Sequence, residues 1–297
     1  MWLELFRLLP IPIVNHLKLL TDPILEIRIR RGTSLCATVL KQISDKIIVE
    51  NRELAMEISD NMMNSVIKAL TANSLYSHEN TIKNGYITVQ GCYRVGVIGK
   101  AVCEGERILS VSSIHALNIR LWRQIDGIGR DIYLYLKQEK FGKSILIFSP
   151  PNMGKTTVVR DVVISLTQEH PHKKVALIDT RGEVAVPAMY RMPHLDILTN
   201  YPKVKGMEIA TRVLSPDYIV CDEIGFSEEV SQIERVQNCG VPYIMTAHAS
   251  SFEELLSHAS MRLLYEKSAF DTYVGIRSLL PGGKVDLFFI CREHVSL

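Results

Sequence analysis

Nine residues between two apolar runs have the types and spacing to hold a chain of phosphates. They are Ser149, Pro150, Pro151, Asn152, Met153, Gly154, Lys155, Thr156 and Thr157. An apolar run, Ile145–Phe148, enters this stretch and a helical pattern leaves it. A turn of backbone N–H groups at a helix N-terminus answers phosphate charge without many side chains. Lys155 adds a point charge for the β- and γ-phosphates, and the Thr156 hydroxyl is a ligand for Mg²⁺. The usual pattern is G-x-x-x-x-G-K-[ST], and Ser149 stands at its first glycine. Pro150 and Pro151 fix two φ angles, and Asn152 tolerates a left-handed position. The loop therefore keeps its shape in this reading, and the nine residues are expected to bind ATP.

Acidic residues follow on a second apolar run. Tyr218–Cys221 ends in Asp222 and Glu223. Asp222 is expected to hold Mg²⁺ through water, while Glu223 orients or deprotonates the attacking water. A third run, Tyr243–Thr246, leads to His248, and Thr246 and His248 are candidates to touch the γ-phosphate or that water. A fourth ends at Asp179, followed by Arg181 and Glu183. Ligands sit at the carboxyl ends of parallel strands, so Asp179 and Glu183 are expected near the site, with Glu183 a second candidate for catalysis. Arg120, Arg160, Arg181 and Arg212 lie on or beside these elements, and one of them could neutralise transition-state charge as an arginine finger.

These residues need a scaffold that brings strand ends together. From Lys143 onward, short apolar runs alternate with helical patterns: a helix near 154–168, a strand at 175–178, helices near 207–214 and 228–237. Buried strands alternating with helices predict a mostly parallel sheet covered on both faces, a RecA-like P-loop domain over residues 143–297. The end of the chain reads as an edge hairpin, 273–280 with 285–291 across Pro281-Gly282-Gly283. Residues 1–123 read as a smaller α+β domain. Glu26–Arg30 alternates like a half-buried strand, Glu53–Leu70 carries helical spacing, and 85–90 with 93–98 forms a hairpin about Gly91-Cys92. Residues 124–142, with two glycines at their start, are expected to be a linker.

The 297 residues are 47% hydrophobic and 22% charged, ordinary globular usage, with a net charge of +2. So small a charge argues against a nucleic-acid partner. Six cysteines include no C-x-x-C pair, which fits reduced thiols rather than a disulfide framework or zinc site. The apolar start is broken by Glu4 and Arg7 and followed by Pro10, so no signal peptide is expected. No run of eighteen apolar residues predicts a membrane span.

On these motifs the sequence resembles the stage III sporulation protein AA ATPases, themselves similar to the secretion ATPases of type II, type IV pilus and type IV systems. The resemblance runs through nearly the whole chain. It includes Glu26–Gly32, the stretch from Gly85 to Gly96, Asn118–Arg120, the loop at Gly154, Val158–Asp161, the box at Asp179, Lys205–Met207, Arg212–Asp217, Asp222–Gly225 and Thr246–Ala249. Family loops usually carry glycine at the positions of Ser149 and Asn152, and the family tends to glutamate at Thr180.

The resemblance implies a cytoplasmic motor held peripherally at a membrane by a partner. It would act on the mother-cell side and serve the mother cell–forespore channel during endospore formation. It implies a homo-hexameric ring, an N-terminal domain over the nucleotide, and Arg120 as a nucleotide-sensing residue; the expected partner is an integral membrane protein of that channel. Two other readings compete. In one, a ring ATPase moves nucleic acid along Arg28, Arg30 and Arg31. In the other, suggested by the altered loop, a nucleotide-gated structural ring hydrolyses little ATP.

Overall fold

A computed structural model describes residues 3–43, 46–89, 93–121, 125–151, 153–224, 227–280 and 284–292. The chain divides into two compact units, Met1–Arg123 and Gln124–Leu297.

The first unit is one antiparallel sheet of six strands with helices. The strands are β1 (Ile24–Arg30), β2 (Ser34–Ile43), β3 (Lys46–Glu57), β4 (Tyr86–Val89), β5 (Tyr93–Glu104) and β6 (Arg107–Arg120), in the order β3-β2-β1-β6-β5-β4. The helices are α1 (Leu3–Phe6), α2 (Ile11–Leu17), α3 (Asp60–Leu70) and α4 (Glu79–Lys83). Ile13, Val14 and Leu17 of α2, and Met63, Val66 and Leu70 of α3, join Ile27, Ile29 and Val39 in one apolar core. Each large aliphatic side chain so buried stabilises by about 1.5–3 kcal/mol.

Two expectations change here. Helical spacing was read from Glu53 onward, yet Glu53–Glu57 belongs to β3, paired with Cys36 and Ser34 of β2. The reason lies in a period of two: Arg52, Leu54 and Met56 are half-buried while Asn51, Glu53, Ala55 and Glu57 are exposed. The helix starts only after Ser59, whose hydroxyl accepts the N–H of Met62. The expected turn at Gly91-Cys92 lies outside the described residues.

The second unit holds seven strands: β7 (Ile145–Ser149), β8 (Val175–Asp179), β9 (Leu195–Thr199), β10 (Tyr218–Cys221), β11 (Tyr243–His248), β12 (Thr272–Leu280) and β13 (Lys284–Cys291). Their order is β13-β12-β7-β11-β10-β8-β9, and every pairing is parallel except β12 with β13. The terminal hairpin is thus at the sheet edge, as expected, with its inner strand parallel to β7. Strand β9, absent from the sequence reading, extends the opposite edge. Its burial is partial, so no continuous apolar run marks it.

The helices are α5 (Arg130–Gln138), α6 (Lys155–Glu169), α7 (Lys203–Ile209) with a π turn continuing it (Ala210–Leu214), α8 (Ser227–Asn238), α9 (Phe252–Ser257) and α10 (Ala259–Glu266). Alternate residues of β7 face opposite ways. Leu146 and Phe148 join the cluster formed by Met207 of α7, Ile233 of α8, Leu255 of α9 and Leu264 of α10. Ile145 and Ile147 are equally buried on the other face. The stretch 124–142, expected as a linker, folds with this unit because Asp161 of α6 captures it. The Asp161 carboxylate accepts the N–H groups of Gly127 (3.1 Å) and Gly129 (2.8 Å). A Cβ at Gly129 would lie 2.7 Å from Val162 Cγ2 and 2.8 Å from the Val158 carbonyl, so only glycine lets α5 start there.

Candidate functional site

The carboxyl ends of β7, β11, β10 and β8 carry the residues singled out above. Strand β7 is buried throughout and ends at Ser149. The loop then returns through Gly154, whose φ of +82° is left-handed, a conformation that costs any side-chain-bearing residue. Gly154 caps α6 without a side-chain acceptor, and the first helical bond runs from Val158 N to Gly154 O. The amides of Lys155, Thr156 and Thr157 therefore have no acceptor within the helix, the donor set an anion wants. Asn152 lies outside the described residues. Pro151 is exposed; Pro150, Met153, Thr156 and Thr157 are half-buried.

Lys155 is buried and folds back over this loop. Its Nζ donates to the carbonyls of Ser149 (2.7 Å) and Pro150 (3.3 Å), reaches Ser149 Oγ at 3.2 Å, and lies 2.7 Å from His248 Nδ1. Burial pushes its pKa down to about 8, with the Glu223 carboxylate opposing the fall. Ser149, at the position of the family's glycine, thus supplies an extra oxygen to the lysine.

Asp222 follows β10, where its N–H continues the ladder onto the Ile178 carbonyl at 3.2 Å. Oδ1 accepts the Thr180 hydroxyl at 3.0 Å, and Oδ2 accepts the Arg181 N–H at 3.3 Å. Lys203 Nζ approaches Oδ1 at 3.7 Å and Glu229 Oε1 at 3.1 Å. Burial pushes the Asp222 carboxyl up to about 6, against the pull of Lys203.

Glu223 points differently. Its Oε2 accepts from Arg181 Nη1 at 3.0 Å and meets His248 Nε2 at 3.1 Å. His248 ends β11 and bridges two charged groups. Lys155 is a donor with no lone pair when protonated, so Nδ1 is the acceptor in that contact. A continuous chain results: Lys155, His248, Glu223, Arg181. Thr246 lies deeper in β11, and its carbonyl accepts Ile224 N–H at 2.7 Å, fixing the segment after Glu223.

The remaining candidates are placed apart from this chain. Asp179 is fully buried and accepts the amides of Glu183, Val184 and Ala185 at 3.0, 3.1 and 2.8 Å, shaping the loop after β8. Glu183 is exposed at that loop, and its carbonyl accepts Arg160 Nη2 at 2.6 Å. Arg160 also donates to the Val184 carbonyl at 2.8 Å, so its guanidinium braces backbone. Arg212 is exposed and pairs with Glu208 one turn earlier at 2.7 Å. Arg120 ends β6 in the first unit, opposite Glu26 in register. Thr180, Lys203 and Glu229 were not found from sequence. Only the position of Thr180, beside Asp179 at a strand end, carried a signal; nothing local marks a lysine that will be buried.

Two tests of fit are met. The unacceptored amides at the start of α6, the left-handed Gly154 and Lys155 suit a phosphate group. For a divalent cation the chain offers oxygens only: the Thr156 hydroxyl, without a protein partner among the described residues, and Asp222 Oδ2, which holds one long hydrogen bond. Hard cations take such oxygen donors.

Comparison with known proteins gives the family and the fold. The family model described as "Sporulation stage III, protein AA" matches residues 6–290. Stage III sporulation protein AA of Bacillus subtilis (strain 168) is 32% identical over 226 residues, 73% of each chain. Among solved structures, the Legionella pneumophila ATPase DotB has a TM-score of 0.60 at 13% identity, covering 93% of this chain and 78% of its own. The pilus retraction motor PilT, solved with bound ADP, has a TM-score of 0.59 at 15% identity, covering 94% and 80%. At such identities these likenesses speak to fold, an α/β architecture shared with secretion ATPases.

Proposed function

Since the chain belongs to the sporulation stage III protein AA family, we propose that it is a motor ATPase whose second unit is a RecA-like P-loop domain hydrolysing Mg-ATP. The strand order supports this reading. One strand, β11, separates the phosphate-loop strand β7 from the acidic strand β10. His248, at the end of β11, thus stands between Lys155 of the loop and Glu223 after β10. The observation that carries the proposal is the contact chain from Lys155 through His248 (2.7 Å) to Glu223 (3.1 Å).

In this reading the ATP phosphates lie on the first turn of α6, and Lys155 exchanges its loop oxygens for theirs. Thr156 and Asp222 would hold the magnesium ion, which when bound neutralises charge on the β- and γ-phosphates. Glu223 orients the attacking water and takes its proton as the new bond to the γ-phosphorus forms and the bond to the leaving ADP oxygen breaks. His248 holds the Glu223 carboxylate and reports the position of Lys155 to it. The ADP in the PilT structure supports a nucleotide as ligand.

Glu223→Gln keeps size and hydrogen bonding but loses the base. Turnover by phosphate release is expected to fall about 10²–10⁴-fold while nucleotide affinity stays. Turnover equal to wild type would move the base elsewhere, with Glu183 next.

The proposal extends to assembly. Subunits form a ring, a hexamer on the family resemblance, and act on an integral membrane protein of the mother cell–forespore channel. Among the described residues no helix is long and apolar enough to cross a membrane, so the proposed membrane location depends on that partner. Arg120 is the residue that the resemblance nominates to sense nucleotide. A finger supplied in trans is worth about 10³-fold or more in rate. Turnover per subunit is therefore expected to rise with concentration, and adding Lys155→Ala subunits to depress it by more than their mole fraction. Strict proportionality in both series would mean independent sites.

The nucleic-acid reading has less support. Of the three arginines that motivated it, Arg28 pairs with Glu26 at 3.0 Å, and Arg31 is held by Asp60 (2.8 Å) and Asn64 (2.6 Å).

A further inference from the structure

Lys203, the first residue of α7, brings an ammonium into a place where ammonium groups are rarely found. Its side chain is 10% exposed, and the two carboxylates it meets, Asp222 and Glu229, are 11% and 8% exposed. Burying a charge is costly unless it is paired. Here one cation serves two anions from separate elements, the end of β10 and helix α8.

The distances divide the work. Glu229 Oε1, at 3.1 Å, is the closer partner. Were Lys203 only a tie between α7 and α8, that contact would suffice. Yet Nζ also lies 3.7 Å from Asp222 Oδ1, the oxygen that accepts the Thr180 hydroxyl at 3.0 Å. Lys203 and Thr180 thus both engage Oδ1, and Oδ2 is left with one long bond at 3.3 Å. The three charges sum to −1. Without Lys203 the two buried carboxylates would stand at −2 in a poorly screened place, and such a pair attracts divalent cations by itself.

We propose that Lys203 is a positioning residue and a tethered countercharge for Asp222. It fixes Oδ1, presents Oδ2, and weakens cation binding by Asp222 until nucleotide phosphates supply further negative charge. The inference rests on the proposed role of Asp222 at a Mg-ATP site. It makes metal entry dependent on nucleotide, so the site is not filled by free cation alone.

The test uses full-length protein without nucleotide and Mn²⁺ as the probe, with free ion followed by electron paramagnetic resonance at constant pH. Wild type and Lys203→Arg should bind Mn²⁺ alone with the same weak affinity. Lys203→Met should bind it about tenfold more tightly or better, the scale of coupling between touching charges. Adding Asp222→Asn should remove the gain. Because Lys203→Met removes a countercharge from two poorly exposed carboxylates, the double variant Lys203→Met/Glu229→Gln guards against misfolding and separates the two roles. If Lys203 acts on Asp222, the double variant still binds Mn²⁺ more tightly than wild type. A double variant equal to wild type would make Lys203 a partner of Glu229 alone and overturn the proposal, as would an unchanged Lys203→Met that folds. A fluorescent-nucleotide titration of the wild-type sample judges the parent reading separately, since the metal measurement contains no nucleotide.

Discussion

Asp179 and Asp222 close neighbouring parallel strands, β8 and β10, one at the last residue and the other one step beyond it. Asp179 is fully buried, and three backbone amides within 3.1 Å answer its two oxygens. Asp222 is nearly as buried but meets one hydroxyl, one distant amide and a shared lysine. The same residue type at the same topological place therefore does two jobs. The end of β8 uses a carboxylate to build a loop, with its acceptor capacity spent on local N–H groups. The end of β10 holds a carboxylate with fewer local donors, and the proposed function gives its remaining capacity to a ligand. Position at a strand end nominates a residue for function; how its lone pairs are already used decides the matter.

Removing the structural carboxylate should have the larger effect on stability. Asp179→Ala leaves three amides without their acceptor, the two buried ones worth about 1–3 kcal/mol each. The second unit should lose about 3–5 kcal/mol, read as a lower urea midpoint and as faster hydrogen exchange at the amides of Glu183, Val184 and Ala185. A loss under about 1 kcal/mol would mean that the loop holds itself and would erase the contrast.

Asp222→Asn should act in the opposite direction. Burial raises the folded carboxyl from 3.8 to about 6, so the folded chain binds this proton more tightly than the unfolded one. Its favourable contribution is full below the unfolded value and is lost as pH rises through about 6. The two-unit difference corresponds to about 2–3 kcal/mol at neutral pH. In EDTA and without nucleotide, wild type and Asp222→Asn should have similar urea midpoints near pH 4. The variant should then become the more stable by about 2 kcal/mol at pH 7. A variant less stable than wild type at pH 7 would show Asp222 to be structural like Asp179.

Much of the second unit could be read without coordinates, for a physical reason. Strands such as Ile145–Phe148 and Tyr218–Cys221 are buried on both faces, so they stand out as unbroken apolar runs between polar turns. Lys155, Glu223 and His248 could be named because each directly follows such a run or its loop, and the fold brings the three into contact. What was not legible depends on partners distant in sequence. Strand β9 is half-exposed and, among the described residues, pairs only with β8. Lys203 is buried because Asp222 and Glu229, far along the chain, converge on it. The α5 segment looked like a linker because its glycines signal freedom, whereas Asp161 and Val162 of α6 make them requirements of close packing. Arg160, one of four arginines weighed as a finger, donates to the carbonyls of Glu183 and Val184, contacts that no local pattern announces.

The central claim is that the loop at Lys155 binds nucleotide phosphates, and a titration with a fluorescent ATP analogue in Mg²⁺ tests it most directly. Wild type and Lys155→Ala are compared at the same pH, with thermal melts confirming that both are folded. Loss of a charge-assisted contact to two phosphates should weaken binding about 100-fold or more in the variant, while wild type saturates. Equal affinities for the two folded proteins, or no saturable binding by wild type, would contradict the account.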